Sequence, residues 1–326
     1  MLTFDELKSI FLDYINDNHF DEEPIGLYHP VNYLMNLPGK RIRPVACLMT
    51  ANIFKEDISS ALPIAYSIEM FHNFTLMHDD IMDDADLRRS NETVHIKYNV
   101  NTAILSGDLM MIMSYKHLIE CCDNLVLKDK ILRLFTNTAI EVCEGQQYDM
   151  DFETQDDVSI SRYLLMIKLK TAVLVAATFK AGAIIGGASD EDTDNLYKYG
   201  LNLGLAFQIQ DDILDTYGDQ NTFGKKIGGD IVQNKKTYLY LKSLEMADKE
   251  SADRLKAIYN NTDIPEVEKI KKVKLIFDNL NIKEQADKLV AELTENAMDH
   301  FNAISVPDEK LIEIKKLAEF LLKRSL

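Results

Sequence analysis

The sequence predicts an all-α fold, a single large helical domain that extends over residues 1–326. Apolar residues recur nearly throughout at the spacing of one helix face, as Leu7, Phe11 and Tyr14 do near the start. Only 13 glycines and 7 prolines occur in 326 residues, and no turn dipeptide joins two alternating segments as a β-hairpin would need. No low-complexity linker divides the chain, so we expect one domain and not two.

The expected elements follow in order along the chain. An amphipathic helix opens it, and residues 243–326 predict further amphipathic helices with charged faces. Residues 164–187 are rich in Ala and Gly, which lets helices approach closely, so we expect a central packed helix there. Residues 218–236 are rich in Gly and Lys but do not match the Walker-type loop G-x-x-x-x-G-K-[ST]. Such a flexible basic segment beside carboxylates suits a lid over a bound phosphate.

Composition and charge exclude several classes of protein. The formal net charge of -17 argues against nucleic acid or an anionic membrane as a partner. The start of the chain lacks the basic and apolar regions of a signal peptide, and the longest apolar run, residues 171–179, is too short to span a bilayer. The 4 cysteines include no C-x-x-C pair, which favours free thiols. We therefore expect a cytoplasmic protein without stable membrane insertion.

Two acidic motifs of the form D-D-x-x-D, at residues 79–83 and 211–215, lie within apolar helical sequence. At about 3.6 residues per turn, the first and last Asp of each motif share one helix face. Carboxylates this close repel each other unless cations compensate their charge. If the two faces turn toward each other, their oxygens would suit hard divalent ions, above all Mg²⁺ that holds a phosphorylated ligand.

Basic residues accompany the two acidic motifs. Lys40 and Arg43 lie three residues apart, which predicts that both project from one side of a helical turn. Arg suits phosphate because its planar guanidinium donates two hydrogen bonds at once. Any single one of these residues would be interpreted as solvated surface, but their occurrence together with the two acidic motifs favours a site for a phosphorylated ligand. The full set comprises Lys40, Arg43, Arg88, Arg89, Lys168, Lys170, Lys225, Lys226, Lys235 and Lys236.

Two histidines, His72 and His78, precede the first acidic motif on the same apolar helix. A His-Asp pair of this kind can mark a metal-dependent phosphohydrolase, but such an enzyme would leave the second acidic motif without a use. A lone His on an apolar helix is more often a hydrogen-bonded core residue. We expect His72 to donate a hydrogen bond to a phosphate.

Taken together, these segments resemble the trans-isoprenyl diphosphate synthases, or polyprenyl synthetases, over residues 37–237. The segments, in order, are G-K-x-x-R-P at residues 39–44, E-M-x-H-x-x-T-L-x-H-D-D-x-x-D with R-R at residues 69–89, K-T at residues 170–171, F-Q-x-x-D-D-x-x-D at residues 207–215, and G-K-x-x-G-x-D with K-x-T at residues 224–237. Each is weak alone, but their fixed order is specific. The chain departs from the family pattern at Ser90, where a Gly is common, which can alter the turn but removes no expected ligand.

The resemblance implies a homodimeric helical bundle with a deep central cavity. Its substrates are isopentenyl diphosphate and an allylic diphosphate, and its cofactor is Mg²⁺, roughly three ions per active site, which Mn²⁺ can replace. Metal ligands are expected at Asp79, Asp83, Asp211 and Asp215, with catalytic support from Asp80, Asp212 and Lys170. Isopentenyl diphosphate is expected to contact Lys40, Arg43, His72 and Arg89. The allylic diphosphate is expected to contact Arg88, Lys170, Thr171, Gln208, Lys225 and Lys235.

The length of the product depends on the helix that carries the first acidic motif. Phe74 lies about one and a half turns before the first Asp, and Thr75 beside it is small. In the family that the chain resembles, bulk at these positions closes the tunnel for the growing prenyl chain. One Phe with a small neighbour is similar to enzymes that make geranylgeranyl diphosphate. Farnesyl diphosphate and a longer polyprenyl diphosphate are the alternatives, and a core role for Phe74 is the simpler interpretation of a buried aromatic residue.

Two other functions fit part of the pattern. A class I terpene cyclase also uses D-D-x-x-D on a helical scaffold, but it has no second diphosphate for Lys40, Arg43 and Arg89 to hold. A silent partner subunit that modulates another synthase is the non-enzymatic alternative, and intact residues at both motifs argue against it.

Overall fold

The regular structure of the protein is almost entirely helical, which confirms the predicted all-α fold. The computed structural model describes residues 1–218, 227–261 and 263–322. Extended structure within these residues is limited to a short antiparallel pair, β1 (Leu87–Arg88) and β2 (Asn91–Glu92).

Short connections join the helices, and caps fix some of their ends. The first half of the chain forms α1 (Phe4–Asp17), α2 (Ile25–Asn36), α3 (Ile42–Phe54), α4 (Leu62–Met82), α5 (Val94–Lys97), α6 (Val100–Glu120) and α7 (Leu125–Thr154). The second half forms α8 (Ile160–Ile167), α9 (Val173–Gly186), α10 (Asp190–Tyr217), α11 (Gly229–Val232), α12 (Tyr238–Met246), α13 (Lys249–Tyr259), α14 (Glu266–Asn279), α15 (Ile282–Asn302) and α16 (Ile312–Leu322). A capping box between Thr3 and Glu6 starts α1.

Part of the expected lid lies outside the described residues. The undescribed part is residues 219–226, and it includes Lys225, for which we predict contact with the allylic diphosphate. The described remainder of the segment forms α11 and the turn that follows it.

The chain divides into two compact units, and several of the divisions fall within helices. The first unit comprises Met1–Thr136, Ala177–Asp194 and Ser305–Leu317. The second comprises Asn137–Ala176, Asn195–Ile304 and Ala318–Leu326. The first acidic motif therefore belongs to the first unit and the second motif to the second unit. A single domain over residues 1–326 stays a prediction.

In the first unit, α4 packs against both α3 and α6. Its side chains include Tyr66 and Phe71, which are fully buried. The Ser67 hydroxyl of α4 donates a hydrogen bond to the Ser114 carbonyl of α6 at 2.7 Å. The apolar burial of its earlier turns fixes the direction of α4 and so sets where its last turn, with the first acidic motif, ends.

In the second unit, α12, α14 and α15 pack against one another. The apolar face that they share includes Leu239, Val273 and Phe277, all fully buried. These contacts confirm the amphipathic helices predicted after residue 243, as far as the chain is described.

The described residues contain no helix that is both long and apolar enough to cross a bilayer. The 4 cysteines are free thiols. A cytoplasmic location stays a prediction.

Candidate active site

The first acidic motif lies at the end of α4, where the helix leaves the core. Asp79 is half-buried, Asp80 is 1% exposed, and Asp83 is exposed. The Asp83 N–H donates to the Asp79 carbonyl at 2.8 Å and closes the last turn. Asp84 then takes a left-handed backbone conformation, with φ of 48°, and ends the helix. The helical spacing thus leaves the first and last carboxylates of the motif accessible and buries the middle one.

Asp80 is held by the first strand of the hairpin that follows the motif. Arg88 on β1 donates from both Nε, at 2.9 Å, and Nη2 to the Asp80 Oδ1. The other carboxylate oxygen, Oδ2, is buried and has no hydrogen-bond partner among the described residues. Burial raises the pKa of Asp80, and the Arg88 guanidinium opposes that rise. A buried carboxylate with a cationic partner is thereby fixed directly behind the accessible pair.

The turn between β1 and β2 directs the next arginine. Arg89 and Ser90 both have positive φ, 53° and 64°, as the central residues of a tight hairpin turn. The Asn91 side-chain amide donates to the Arg89 carbonyl at 2.8 Å. The Arg89 guanidinium lies against Gly39, where an added Cβ would stand 2.8 Å from Nη1. The Arg89 guanidinium thus occupies the space beside Gly39 that a larger residue would take.

Lys40 and Arg43 do not share a helical turn, so that prediction is wrong. Lys40 is exposed and precedes α3, which begins at Ile42. Arg41, between them, has a left-handed backbone with φ of 53° and turns its side chain inward. Sequence reasoning assigned Arg41 no role, because its position next to two expected ligands looks like a simple loop start.

His72 accepts a hydrogen bond from an arginine. Arg43 Nη1 lies 3.1 Å from His72 Nε2, and because a guanidinium only donates, Nε2 must be the acceptor. Burial lowers the pKa of His72 well below its usual value, and Arg43, Arg89 and Arg88 lower it further. The imidazole is therefore neutral and carries its proton on Nδ1. Buried Nε of Arg43 and Nη1 of Arg89 have no hydrogen-bond partner among the described residues.

Phe74 lies in an aromatic row on α4. Its ring centroid is 5.5 Å from that of Phe71 and 4.8 Å from that of His78. Thr75 donates its hydroxyl to the His72 carbonyl at 2.8 Å. Opposite this row, a Cβ on Gly107 of α6 would stand 2.3 Å from His78 Nε2, so His78 fills the space that a larger residue would take.

The second acidic motif lies near the end of α10 and differs in its partners. Asp211 and Asp215 are half-buried, whereas Asp212 is 4% exposed. Asp212 Oδ2 accepts from the Tyr163 hydroxyl at 2.5 Å and from the Tyr238 N–H at 3.2 Å. Burial raises the pKa of Asp212 well above its usual value, and the nearby Asp230 carboxylate adds to the rise.

Asp215 organises the backbone that comes after the undescribed residues. Its Oδ2 accepts from the Asp230 N–H at 3.0 Å, and its carbonyl accepts from the Gly228 N–H at 2.6 Å. Lys235 places its ammonium 3.8 Å from Asp230 Oδ1. The described end of the expected lid is thus tied to the last residue of the second motif.

Lys170 and Thr171 lie on a π-helical turn, Lys168–Ala172, between α8 and α9. Lys170 Nζ donates to Asp149 Oδ2 at 2.6 Å, and Thr171 Oγ1 lies 3.4 Å from Gln208 Oε1. A Cβ on Gly145 of α7 would stand 2.2 Å from the Lys170 backbone nitrogen, so this glycine admits the wide turn. Helical structure over residues 164–187 is confirmed, but the π turn was not foreseen. Such turns are frequent at functional sites.

The sequence model of the polyprenyl synthetase family matches residues 25–276. The chain belongs to the polyprenyl synthetase family. The membership confirms the enzyme class predicted from the sequence, a trans-prenyltransferase of isoprenoid biosynthesis.

Several relatives of this polyprenyl synthetase match it in sequence over nearly the whole length of both chains. It is 35% identical to the geranylgeranyl diphosphate synthase of Sulfolobus acidocaldarius, over 99% of each chain. It is 34% identical to the short chain isoprenyl diphosphate synthase of Methanothermobacter thermautotrophicus, over 95% of this chain and 94% of that one. A crystal structure of a geranylgeranyl pyrophosphate synthase superposes with a TM-score of 0.94 at 44% identity and covers 100% of both chains.

Polyprenyl synthetases are in general Mg²⁺-dependent, and the donors of this one fit that ion. Within the described residues, no group of three or more His, Cys, Asp or Glu side chains is arranged to hold a metal by itself. Both acidic motifs nevertheless offer hard carboxylate oxygens, and Mg²⁺ commonly takes only one or two carboxylates, together with water and substrate phosphates. The diphosphate itself would therefore complete the coordination.

Proposed function

We propose that this prenyltransferase joins isopentenyl diphosphate to an allylic diphosphate and releases geranylgeranyl diphosphate. The observation that carries the proposal is the cationic cluster of the first unit, formed by Arg43, Arg89 and neutral His72. Within the described part of the chain, Arg43 and Arg89 each keep a buried donor that has no protein partner. Buried guanidinium donors that lack acceptors suit a diphosphate. A terpene cyclase binds one diphosphate and has no use for this second cluster.

We propose a role for each of the site residues. Metal ligands are Asp79, Asp83, Asp211 and Asp215. Residues that hold isopentenyl diphosphate are Lys40, Arg43, His72 and Arg89. Residues that contact the allylic diphosphate are Arg88, Lys170, Thr171, Gln208, Lys225 and Lys235.

The reaction needs groups that stabilise a departing pyrophosphate and a carbocation, and it needs no protein nucleophile. The allylic C–O bond breaks heterolytically, the alkene of isopentenyl diphosphate attacks the cation, and a proton leaves to pyrophosphate. When bound at the proposed aspartate ligands, Mg²⁺, about three ions, would supply positive charge that stabilises the departing pyrophosphate. Among the described contacts, Arg88 donates from Nε and Nη2 to Asp80. Its Nη1 can then donate to the leaving group. Lys170, held by Asp149, adds a second fixed cation.

The proposal is tested with purified protein, dimethylallyl diphosphate, isopentenyl diphosphate and Mg²⁺. We expect a twenty-carbon diphosphate as the main product on chromatography, and its loss when EDTA is added. In a parallel assay with geranylgeranyl diphosphate as the sole substrate, formation of a hydrocarbon would indicate a cyclase. Absence of any condensation product would contradict the proposal and favour a silent partner subunit.

Phe74 is proposed to limit product length from its place in the aromatic row. Phe74→Ala should shift the product to longer chains because it removes a ring about one and a half turns below the metal ligands. Phe20→Ala removes an equally buried ring outside α4 and should leave the product length unchanged. If Phe74→Ala and wild type give products of the same length, Phe74 does not limit product length. If Phe20→Ala also lengthens the product, the change reflects looser packing of the whole protein and not a specific role of Phe74.

A homodimer is proposed from an apolar face that the chain leaves exposed on α6. Leu105, Ile112 and Ile119 recur every seven residues and are 59%, 65% and 52% exposed. Such a row of large apolar side chains indicates a protein interface. Ile112→Glu should shift the protein toward monomer in analytical ultracentrifugation, whereas Lys249→Glu, at an exposed position of α13 outside this face, should not. A monomeric wild-type protein would contradict the proposal.

A further inference from the structure

A buried ion pair lies at the base of the cationic cluster. Arg41 Nη1 and Glu69 Oε1 are 2.5 Å apart, and the two residues are 5% and 2% exposed. Removing such charges from water is so unfavourable that a buried pair is weak evidence for stability by itself. The contacts that the pair makes with the rest of the site therefore matter more than the pair alone.

Arg41 fixes the backbone that carries two expected ligands. Its Nη2 donates to the carbonyls of Met35, at 2.5 Å, and Leu37, at 2.8 Å, where α2 ends. The Arg41 backbone has φ of 53°, a left-handed conformation that residues other than Gly rarely adopt without support from the surrounding structure. One side chain thus joins the end of α2 to the start of α3. Lys40 precedes this residue directly, and Arg43 follows in the first turn of α3.

Glu69 acts on more than one arginine. Burial lowers the pKa of Arg43 and of Arg89, and the negative charge of Glu69 partly opposes that fall. Glu69 lies on α4, one turn before His72, which Arg43 contacts. The carboxylate therefore offsets the mutual repulsion of guanidinium groups that gather before any diphosphate binds.

We propose that Arg41 and Glu69 are positioning residues for isopentenyl diphosphate. The pair fixes the backbone at the start of α3, next to Lys40 and Arg43, and lets Arg43 and Arg89 stand close together. The pair does not touch the substrate. The inference rests on the proposed function, because it assigns the cluster to isopentenyl diphosphate.

The test compares Arg41→Met, Glu69→Met and the double variant, which replaces the pair by two apolar side chains. Each single variant leaves a buried charge without its partner and should lower Tm, whereas the double variant should recover much of that loss. The KM for isopentenyl diphosphate should rise about tenfold in all three, equivalent to about 1.4 kcal/mol. The KM for the allylic diphosphate should stay within about twofold of wild type.

The double variant decides between positioning and simple structural support. If it recovers both Tm and the KM for isopentenyl diphosphate, the pair only stabilises the fold and the inference is wrong. An unchanged KM in the single variants would overturn it as well. A rise in both KM values together would show general damage to the site and would equally contradict it.

Asn52 provides a matched control on the far end of α3. It is buried, and its side chain accepts from the Leu2 N–H at 2.9 Å and donates to the carbonyls of Lys55 and Glu56. Asn52→Leu should lower Tm and leave both KM values unchanged. Wild-type protein run in the same assay distinguishes failure of the proposed function from failure of the role proposed for Arg41 and Glu69. Failure of wild type to condense the substrates would reject the proposed function, whereas active wild type with unaltered variants would reject only the role of the pair.

Discussion

The two acidic motifs have the same spacing but hold their middle carboxylates in different ways. Asp80 is paired with the cationic Arg88. Among the described residues, the hydrogen bonds to the Asp212 carboxylate come from neutral donors, the Tyr163 hydroxyl and the Tyr238 N–H. Both carboxylates are almost fully buried, and burial raises both pKa values. Among the described residues, the Arg88 cation opposes the rise at Asp80, whereas hydrogen bonds from Tyr163 and Tyr238 oppose it at Asp212. The D-D-x-x-D spacing thus determines which carboxylate is buried, and distant residues determine how its charge is stabilised.

The segments after the motifs differ too. The first motif leads into a hairpin whose tight turn has non-glycine residues, Arg89 and Ser90, at positive φ. After the second motif, Gly228 takes the positive φ of 79°. The first unit accepts backbone strain at a position that carries an expected substrate ligand. The second unit uses glycine where the backbone returns to Asp215.

The largest expected effect tests whether both motifs use the same helix face. Asp79→Ala and Asp211→Ala should each lower kcat by roughly 10²–10³-fold, because each removes an expected metal ligand. Asp86→Ala removes an exposed carboxylate just beyond the first motif and should change kcat less than about twofold. Steady-state assays at saturating Mg²⁺ measure all three variants. Equal losses would show that the helical face does not select the ligands.

The partners of the middle carboxylates give the next effect. Arg88→Met should lower the free energy of unfolding of the metal-free protein by about 3 kcal/mol, because it leaves Asp80 buried without a cation. Tyr163→Phe should lower it by only about 1–2 kcal/mol, since Asp212 keeps the Tyr238 N–H. Urea unfolding in EDTA measures both losses. If Tyr163→Phe lowers the free energy of unfolding more than Arg88→Met does, the neutral donors stabilise Asp212 more than the cation stabilises Asp80, which contradicts the expectation.

The same contrast predicts a dependence on pH. Asp212 has a raised pKa in the folded protein, so the folded state binds its proton more tightly than the unfolded state, whose Asp pKa is about 3.9. Its contribution to stability therefore falls as pH rises from about 4 to the folded pKa, by about 1.4 kcal/mol per pH unit. Asp212→Asn should flatten this slope in metal-free protein, and more than Asp80→Asn does. Urea unfolding across this pH range gives the slopes, and identical slopes in wild type and Asp212→Asn would be inconsistent with the shift.

The fold follows from local pattern to a large extent. Helical periodicity and sparse Gly and Pro predicted the all-α structure, and the amphipathic helices after residue 243 are present as far as described. The π turn at Lys168–Ala172 was missed because it depends on space left by Gly145 on another helix. The helical turn predicted for Lys40 and Arg43 was wrong because one left-handed residue, Arg41, interrupts it.

The site was predictable where chemistry lies within one motif and not where it depends on distant pairing. The carboxylate spacing and the nearby arginines are visible in the sequence. Arg41, by contrast, meets Glu69 across 28 positions, and Asp212 meets Tyr163 across 49. Spacing along one helix carries no information about partners so far apart. The cationic or neutral support of each acidic motif therefore had to come from the structure.

The smallest expected effects concern one position of positive φ after each motif, Ser90 and Gly228. Ser90→Gly should raise the free energy of unfolding by about 0.5 kcal/mol, because relief of about 1–2 kcal/mol of left-handed strain exceeds the extra chain entropy that Gly loses on folding. Gly228→Ala should lower it by about 1 kcal/mol, because alanine is strained at this positive φ and its Cβ would also stand 2.7 Å from the Ile270 side chain. Urea unfolding measures the change in the free energy of unfolding for each variant. Destabilisation by Ser90→Gly would mean that the serine side chain supports the hairpin turn, so the contrast between the two segments would lie in side-chain contacts and not in tolerated backbone strain.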